Sequence, residues 1–347
     1  MVLLFEPQTP ALRWQQVDAG GRVRQSGVCD AEAVHELVIR QVAAGRLDAL
    51  GYLLPHGGEW VDQEIQPLSP PLPTLLSAAV GLLPEPNALA LAAMRAGLDA
   101  APAASHFLLC DTAYFLQLPA PAAHYALPAR LRRQGLRRFG AAGLWHRWAW
   151  DQVRRRHRPA VARLLSVHVD GASSMAAIVD GQPVETTAGF TGVEGLPSTT
   201  ACGDLDPTIP LHLRASGMTF AEIGRLLGRD AGFSGLLGRP CSLRRLIEDD
   251  DPEVQAVRDI FLHHLRRQTG AMLAAAGGAE AVAVVGEEAD LCEWVSARLS
   301  AWVRPVLGRD GDAAGESLQV QVFPATRGQI MAERVYQLAC KGGHHGS

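Results

Sequence analysis

Lysine is nearly absent from this sequence of 347 residues. Of its 32 Lys and Arg residues, only Lys341 is a lysine, and it lies in the C-terminal stretch KGGHHGS. A phosphate-loop lysine, a lysine Schiff base and a lysine general base each need a compact ammonium group or a titratable amine in a structured element. Because the first 340 residues contain no lysine, all three mechanisms are excluded there.

Paired cysteines, long apolar runs and an excess of positive charge are also missing. The six cysteines are scattered without a CxxC pair, which in a chain of this size indicates reduced thiols. Apolar runs such as residues 75–83 are too short to span a bilayer, and residues 1–5 are not followed by a cleavage site. A net charge of −4 gives no reason to expect nucleic acid or a membrane as partner. We therefore expect a cytoplasmic protein.

Short strands and helices recur in a similar order in the two halves of the chain. The first half begins with a hairpin-like stretch and a helix over residues 30–44, whereas residues 67–105 contain helical patches that Pro84, Pro86 and other prolines are expected to break. A second strand-rich start with Gly turns follows residue 163. The predicted strands after the first hairpin lie at residues 49–54, 105–110, 164–169, 176–179, 183–186, 281–285 and 318–322.

This repetition indicates two α/β domains of related build. We predict an N-terminal α/β domain over residues 1–125, joined by the C-terminal segment 323–340. A C-terminal α/β domain is predicted over residues 126–322, and a flexible tail over residues 341–347.

One segment, residues 168–213, is more specific than the others and reads HVDGASSMAAIVDGQPVETTAGFTGVEGLPSTTACGDLDPTIPLHL. It resembles the acetate kinase family of acetate, propionate and butyrate kinases, within the sugar-kinase and actin-like ATPase superfamily. Other stretches match that family in the same order along the chain, namely YLLPHGGE at 52–59, CDTAYF at 110–115, GLRRFG at 135–140, SGLLG at 234–238 and VFP at 322–324.

The resemblance implies two related α/β domains of the actin-like ATPase (ribonuclease H-like) type with a central cleft. It also implies an ATP-dependent carboxylate kinase that forms acyl phosphate from acetate or another short carboxylate, with ATP and Mg²⁺ as cofactors if activity is retained. A homodimer is the implied assembly.

Several residues stand at positions that the family uses. The matching motifs give Asp111, His168 and Arg244 as retained catalytic positions, and a degenerate nucleotide loop at Gly286, Glu287 and Glu288. Structural alternatives stay open, since Asp111 can cap a helix, Asp204 can fix a loop by Asx turns, and His168 can be a hydrogen-bonded interior histidine. The substrate and phosphate cleft is expected to be lined by His56, Gly57, Gly58, Gly203 and Asp204.

Six other family positions carry a different residue. The asparagine of the opening phosphate turn is Glu6, the arginine of the GHRVVHGG stretch is Leu53, and the histidine that stabilises the transferring phosphoryl group is Ala142. The asparagine of HLGNG is Gly171, the arginine of MGTR is Ala201, and the magnesium-holding glutamate near the C-terminus is Arg327. Losing even one such arginine costs a factor of about 10³ or more, because positioning and charge neutralisation supply most of the catalysis.

These substitutions lead to the hypothesis of a degenerate, catalytically impaired family member that acts as a binding, regulatory or scaffolding protein. Its partner would be a second copy, another protein or a small anionic metabolite, and no metal site is predicted from the residues. One alternative is a repurposed kinase or phosphotransferase acting on another carboxylate or phosphorylated metabolite. Another is nucleic-acid binding through the arginine cluster of residues 130–158 around Trp145, Trp148 and Trp150, although a structural role for that cluster is favoured.

Overall fold

A computed structural model describes residues 1–45, 47–156, 161–306 and 319–342. The chain divides into two compact units, each of which contains one β-sheet. The first unit consists of Met1–Leu116, Ala141–Leu144 and the chain from Ala325 onward. The second consists of Gln117–Gly140 and Trp145–Pro324.

The first unit has a six-stranded sheet. Its first three strands form an antiparallel meander, its first, fourth and sixth strands are parallel neighbours, and the short fifth strand pairs antiparallel with the sixth. The fourth strand, ALGYLL, is buried along its whole length, as expected for a parallel strand covered on both faces. The strands are β1 (Val2–Gln8), β2 (Ala11–Val17), β3 (Val23–Cys29), β4 (Ala49–Leu54), β5 (Ile65–Pro67) and β6 (Ser105–Cys110).

Helices cover the faces of this sheet and build the first core. The core is formed by apolar residues of the strands and of the long helix that precedes β6, among them Leu50, Tyr52, Leu91 and Met94. The helices are α1 (Val34–Ala43), α2 (Leu72–Leu75), α3 (Pro84–Ala100) and, from the C-terminal segment, α13 (Arg327–Gly342), with 3-10 turns at Ala31–Ala33, Leu76–Gly81 and Ala113–Gln117.

The prediction that Pro84 and Pro86 break a helix is wrong. Pro84 is the first residue of the 17-residue helix α3. A proline in the first turn needs no N–H partner there, and its fixed φ angle suits the start of a helix. The two prolines therefore begin the helix.

The second unit has a five-stranded sheet that repeats the order of the first. An antiparallel meander of three strands is again followed by two parallel strands on the side of the first strand. The strands are β7 (Arg163–His168), β8 (Ser174–Val179), β9 (Gln182–Thr186), β10 (Ala281–Gly286) and β11 (Gln319–Pro324). The predicted pair of related α/β domains is therefore confirmed, and so are the predicted strand positions, which agree to within two residues except for Leu318, which lies outside the described residues.

Along the sequence, five of the helices of the second unit fall between its third and fourth strands. Most of its core is formed by α11 and α12 against the sheet, with Phe261, Leu265, Val295 and Leu299 buried. The helices are α4 (Ala120–Ala123), α5 (Ala129–Arg132), α6 (Gly143–Arg156), α7 (Thr208–Ala215), α8 (Phe220–Arg229), α9 (Gly232–Leu237), α10 (Leu243–Glu248), α11 (Pro252–Ala276) and α12 (Ala289–Val306). Within the described parts of the chain, no helix combines the length and apolar character needed to cross a bilayer.

The boundaries between the units differ from those drawn on the sequence at 125/126 and 322/323. Residues 117–125, predicted in the first domain, lie in the second unit and bond to it: the Phe190 N–H donates to the Tyr125 hydroxyl at 2.8 Å, and the Arg138 N–H donates to the Ala123 carbonyl at 2.8 Å. The second boundary follows Pro324 because β11 is a full member of the second sheet. Residues 343–347 of the predicted tail lie outside the described residues.

Candidate functional site

In the first unit, the predicted site residues gather at one edge of the sheet. Glu6 lies near the end of β1, His56 follows β4, and Asp111 follows β6. Because β1, β4 and β6 are parallel neighbours, their carboxyl ends share the same edge, which is where open α/β sheets bind ligands.

The His56–Gly57–Gly58 turn is held by hydrogen bonds within the first unit. The Asn87 side chain accepts from the His56 N–H at 3.2 Å and donates to the His56 carbonyl at 2.8 Å. The Gly57 N–H donates to Thr112 Oγ1 at 2.9 Å, and the Gly58 N–H donates to His56 Nδ1 at 3.2 Å. A Cβ on Gly57 would lie 2.5 Å from Cys110 Sγ, so glycine is required for this close approach. These contacts account for the turn without a ligand.

Asp111 is a buried carboxylate, with 6% of its surface exposed. Its Oδ1 accepts from the Leu144 N–H at 3.2 Å, and its carbonyl accepts from the Gly143 N–H at 2.9 Å. Burial raises the pKa of the Asp111 carboxyl, while the Arg327 guanidinium and the Leu144 N–H oppose that rise. Ala142, just before these donors, adopts a positive φ of 55°.

Two of the six substituted positions contact each other. An Arg327 Nη1 lies 3.1 Å from Glu6 Oε1 and 3.9 Å from Asp111 Oδ2. Arg13 Nε lies 3.7 Å from the other Glu6 oxygen. The four side chains therefore form a network of two carboxylates and two guanidiniums, in which no side chain is more than 19% exposed.

Arg13 was missed by the sequence reasoning. In the β1–β2 hairpin, Arg13 is the direct cross-strand partner of Glu6. The register of a hairpin with a turn at residues 9–10 would have placed the two opposite each other. Another of the six positions in this unit, Leu53, is completely buried on β4 beside Leu109 of β6 and brings no charge.

In the second unit, His168 lies at the end of β7 and Gly286 at the end of β10. His168 is 2% exposed, and its ring packs against Trp145 with 5.0 Å between the centroids. Such burial is typical of an interior histidine and not of a catalyst open to substrate. The catalytic role of His168 stays a prediction.

The turn between β7 and β8, which carries Gly171, is bonded to the loop after β9, which carries Ala201. The N–H and Oγ1 of Thr199 both bond to the Gly171 carbonyl, at 2.8 and 3.1 Å. A Cβ on Gly171 would lie 2.9 Å from Thr199 Oγ1, so the family's asparagine would fit only if Thr199 moved. Ala201 is 8% exposed, and its N–H bonds to Ser198 Oγ at 2.8 Å.

Gly203 and Asp204 fix the next part of the same loop. Gly203 has a φ of 74°, and a Cβ there would lie 2.7 Å from the Pro197 nitrogen. Asp204 Oδ1 accepts from the Gly195 N–H at 3.0 Å, and Oδ2 accepts from Gln268 at 2.8 Å and from Arg267. Asp204 thus holds the loop in place, which is the kind of structural role that the Asx-turn alternative describes. Its hydrogen-bond partners, however, are Gly195, Arg267 and Gln268, and not the Asx-turn partners within its own turn.

Arg244 is fully engaged with acidic side chains. Its guanidinium donates to Glu248 at 2.6 Å, to Glu288 at 2.5 Å and to Asp290 at 2.7 Å. These bonds, with Asp290 first, raise the pKa of Arg244. Arg244, predicted as a catalytic position, and Glu288, of the predicted nucleotide loop, are therefore brought together. Arg244 is half-buried, whereas Glu287 and Glu288 are exposed.

The tryptophans within the arginine cluster of residues 130–158 are packed into the protein, whereas most of its described arginines are exposed. Trp145 and Trp150 are 1% and 3% exposed, and Trp148 is half-buried, so these rings offer little face for stacking on bases. Arg154 lies over the Trp150 ring and Arg156 over the Phe323 ring. Nothing in these contacts supports the nucleic-acid alternative. Arg158 lies outside the described residues.

Comparison with known proteins decides the family. The model of the acetokinase family matches residues 31–300 of this chain. The chain belongs to the acetokinase family. The acetate kinase of Rhodopseudomonas palustris strain TIE-1 is 30% identical over 313 residues, which are 86% of this chain and 78% of that protein.

Two solved structures share the fold of this acetokinase-family chain. The acetate kinase of Porphyromonas gingivalis gives a TM-score of 0.83 at 21% identity, covering 97% of this chain and 99% of the other. A propionate kinase from Francisella tularensis gives a TM-score of 0.81 at 18% identity, covering 96% and 98%. The predicted fold class, two α/β domains of the actin-like ATPase type, is therefore confirmed.

Proposed function

We propose that this chain is a catalytically impaired acetokinase-family protein that acts by binding a partner or ligand. The observation that carries the proposal is the Glu6 carboxylate, which stands at the family's phosphate-turn position and is held by Arg327 at 3.1 Å and Arg13 at 3.7 Å. A phosphoryl group brought here would meet a fixed negative charge, and the two guanidiniums that could offset it are already paired. Pro7 and Pro10 remove two N–H donors from the same turn.

The second unit supports the same proposal. The family's MGTR arginine is replaced by the buried Ala201, and Arg244 is engaged by three carboxylates. Two of them, Glu288 and Asp290, flank Ala289, the first residue of α12, so negative charge already occupies the helix N-terminus that would otherwise attract a phosphate. The arrangement disfavours the phosphates of a nucleotide.

The binding role is proposed to involve a second copy of the chain, as the resemblance to acetate kinases implies. Helix α7 has no buried residue, and its Leu211 is 67% exposed. Phe220, at the start of α8, is 77% exposed. Apolar side chains this exposed on adjacent helices support a protein interface on the second unit.

The test is acyl phosphate formation from ATP, Mg²⁺ and either acetate or propionate, trapped as the hydroxamate. We expect less than about 1% of the rate of an ordinary family member assayed in parallel, since losing one charge clamp alone costs about 10³-fold. A rate within about a hundredfold of that enzyme would contradict the proposal.

A control checks that the protein is folded and tests whether it binds nucleotide. Thermal melting with and without ATP and Mg²⁺ should give the same Tm, because a ligand that binds only the native state must raise Tm. A clear ATP-dependent rise would show that a nucleotide site is retained and would favour the repurposed kinase instead.

A further inference from the structure

The Mg²⁺ that the family implies does not fit the residues of the first unit. Mg²⁺ takes six oxygen ligands at about 2.0–2.1 Å, usually with one or two carboxylates among them. Here the family's metal-holding glutamate is Arg327, and Asp111 faces its guanidinium and the Leu144 N–H. Across the described residues, no three His, Cys, Asp or Glu side chains converge as a metal site.

We propose that Arg327 is the resident cation of this site and takes the place of a divalent metal ion. This inference rests on the proposed function and deepens it. The Arg327 guanidinium touches both buried carboxylates of the sheet edge, Glu6 at 3.1 Å and Asp111 at 3.9 Å. A single side chain thus supplies positive charge to two acids that come from different strands.

The formal charges of the network sum to zero. Glu6 and Asp111 contribute two negative charges, and Arg13 and Arg327 contribute two positive ones. A divalent cation would raise the sum to +2 in a largely buried site, where charges are poorly screened. Arginine cannot lose its proton to make room for the metal.

The place of Arg327 at the start of a helix is favourable only because acidic side chains lie nearby. Arg327 is the first residue of α13, a helix of 16 residues. A cation at a helix N-terminus is opposed by the helix dipole, so the placement is unfavourable unless nearby carboxylates offset it. Glu6 gives the closer contact, which explains how the asparagine-to-glutamate and glutamate-to-arginine changes complement each other.

The first experiment uses the unaltered protein and Mn²⁺ as a spectroscopic substitute for Mg²⁺. Electron paramagnetic resonance should show all Mn²⁺ free at millimolar concentration, and EDTA or 5–10 mM MgCl₂ (about a hundred times the protein) should leave Tm unchanged. Bound Mn²⁺ that Mg²⁺ displaces and that Asp111→Asn abolishes would overturn the proposal.

The second experiment removes the resident cation. Arg327→Gln leaves two buried carboxylates without it, so Tm at pH 7 should fall by at least about 5 °C. Mg²⁺ or Mn²⁺ should restore part of that loss in Arg327→Gln and Arg327→Glu, with Mn²⁺ now bound. Arg13→Gln is the matched control: it removes a guanidinium from the same Glu6 but keeps Arg327, so no Mn²⁺ should bind.

An Arg327→Gln protein with unchanged Tm and no metal response would also overturn the proposal. If that variant does not fold, Glu6→Gln with Arg327→Gln removes one charge of each sign, and its Tm should recover toward that of the unaltered protein. Failure to recover counts against the pairing. The two proposals fail separately: acyl phosphate formation without Mn²⁺ binding contradicts only the proposed function, and Mn²⁺ binding without acyl phosphate contradicts only this inference.

Discussion

Glu6 and Arg327 would each place an uncompensated charge at a nearly buried position if the other were absent. A glutamate in a phosphate turn repels phosphate, and an arginine in a metal site repels the metal. Together they form a close ion pair at 3.1 Å within a nearly buried network. Breaking such a pair by removing one partner is costly, since it leaves a buried charge without compensation. The charge at this sheet edge and the stability of the first unit are therefore coupled through the same two residues.

His146 is a second residue whose environment decides its chemistry. It is completely buried in the second unit, with Nδ1 at 2.8 Å from Ser166 Oγ and Nε2 at 3.0 Å from Ser174 Oγ. Burial, and then the charge of nearby His168, lower the pKa of His146 well below its ordinary value. The neutral ring is thus the form that the folded protein holds.

This lowered pKa predicts a loss of stability in acid. The unfolded chain takes up a proton at His146 below its ordinary pKa of about 6.5, whereas the folded chain does not, so the free energy of unfolding falls as pH drops from about 7 to 5. One such proton contributes a slope of about 1.4 kcal/mol per pH unit. Urea unfolding of His146→Asn at several pH values should show a slope smaller by about that amount, and equal slopes would contradict the prediction.

At the scale of elements, the effect of replacing a helical glycine by alanine depends on the space around that glycine. Gly270, in α11, has open space where a Cβ would be, whereas a Cβ on Gly235, in α9, would lie 2.3 Å from the Asp230 carbonyl oxygen. Alanine has a higher helix propensity than glycine, so its effect depends on whether its Cβ fits. The two sites therefore form a matched pair.

Gly270→Ala is expected to raise the free energy of unfolding by about 0.5–1 kcal/mol. Gly235→Ala is expected to lower it by about 1–3 kcal/mol, because backbone atoms must move to admit the methyl group. Urea denaturation of both variants at pH 7 measures the difference. The same sign of change in both would show that helix propensity, and not the local space, controls these positions.

The loops of the second unit that carry the predicted site residues bond to their own surroundings. The Gly171 carbonyl, the Ser198 hydroxyl and the Asp204 carboxylate all bond to neighbouring backbone or side chains of the second unit. Loops that satisfy their own polar groups do not need a ligand to become ordered. The retained Gly and Asp residues of the family motif thus maintain the loop conformation here.

For the whole molecule, the exposed apolar side chains of α7 and α8 predict a homodimer. Leu211→Asp with Phe220→Asp should convert the dimer to a monomer at about 10 μM protein, because losing two buried apolar anchors weakens the dissociation constant by about 10²-fold or more. Light scattering after size-exclusion chromatography measures the mass. Val28→Asp, a similarly exposed position of the first unit, is the control that should remain dimeric. A monomeric unaltered protein, or a dimeric double variant, would contradict the prediction.

Much of the fold could be predicted because local signals agree with it. The short apolar stretches and the Gly turns at residues 170–171 and 180–181 place β7, β8 and β9 to within two residues. The predictions failed where contacts distant in sequence decide the outcome. Pro84 begins α3, and residues 117–125 lie in the second unit, where the Phe190 N–H donates to the Tyr125 hydroxyl.

The sequence by itself determined the family, and it determined which residue stands at each motif position. It also excluded lysine chemistry from the first 340 residues. Only the tertiary structure decided what the substituted residues do instead, because Glu6 and Arg327 lie near opposite ends of the chain and meet through the pairing of β1 with its neighbours and the docking of α13. Coulomb interaction depends on distance in space, and that distance is set by the fold.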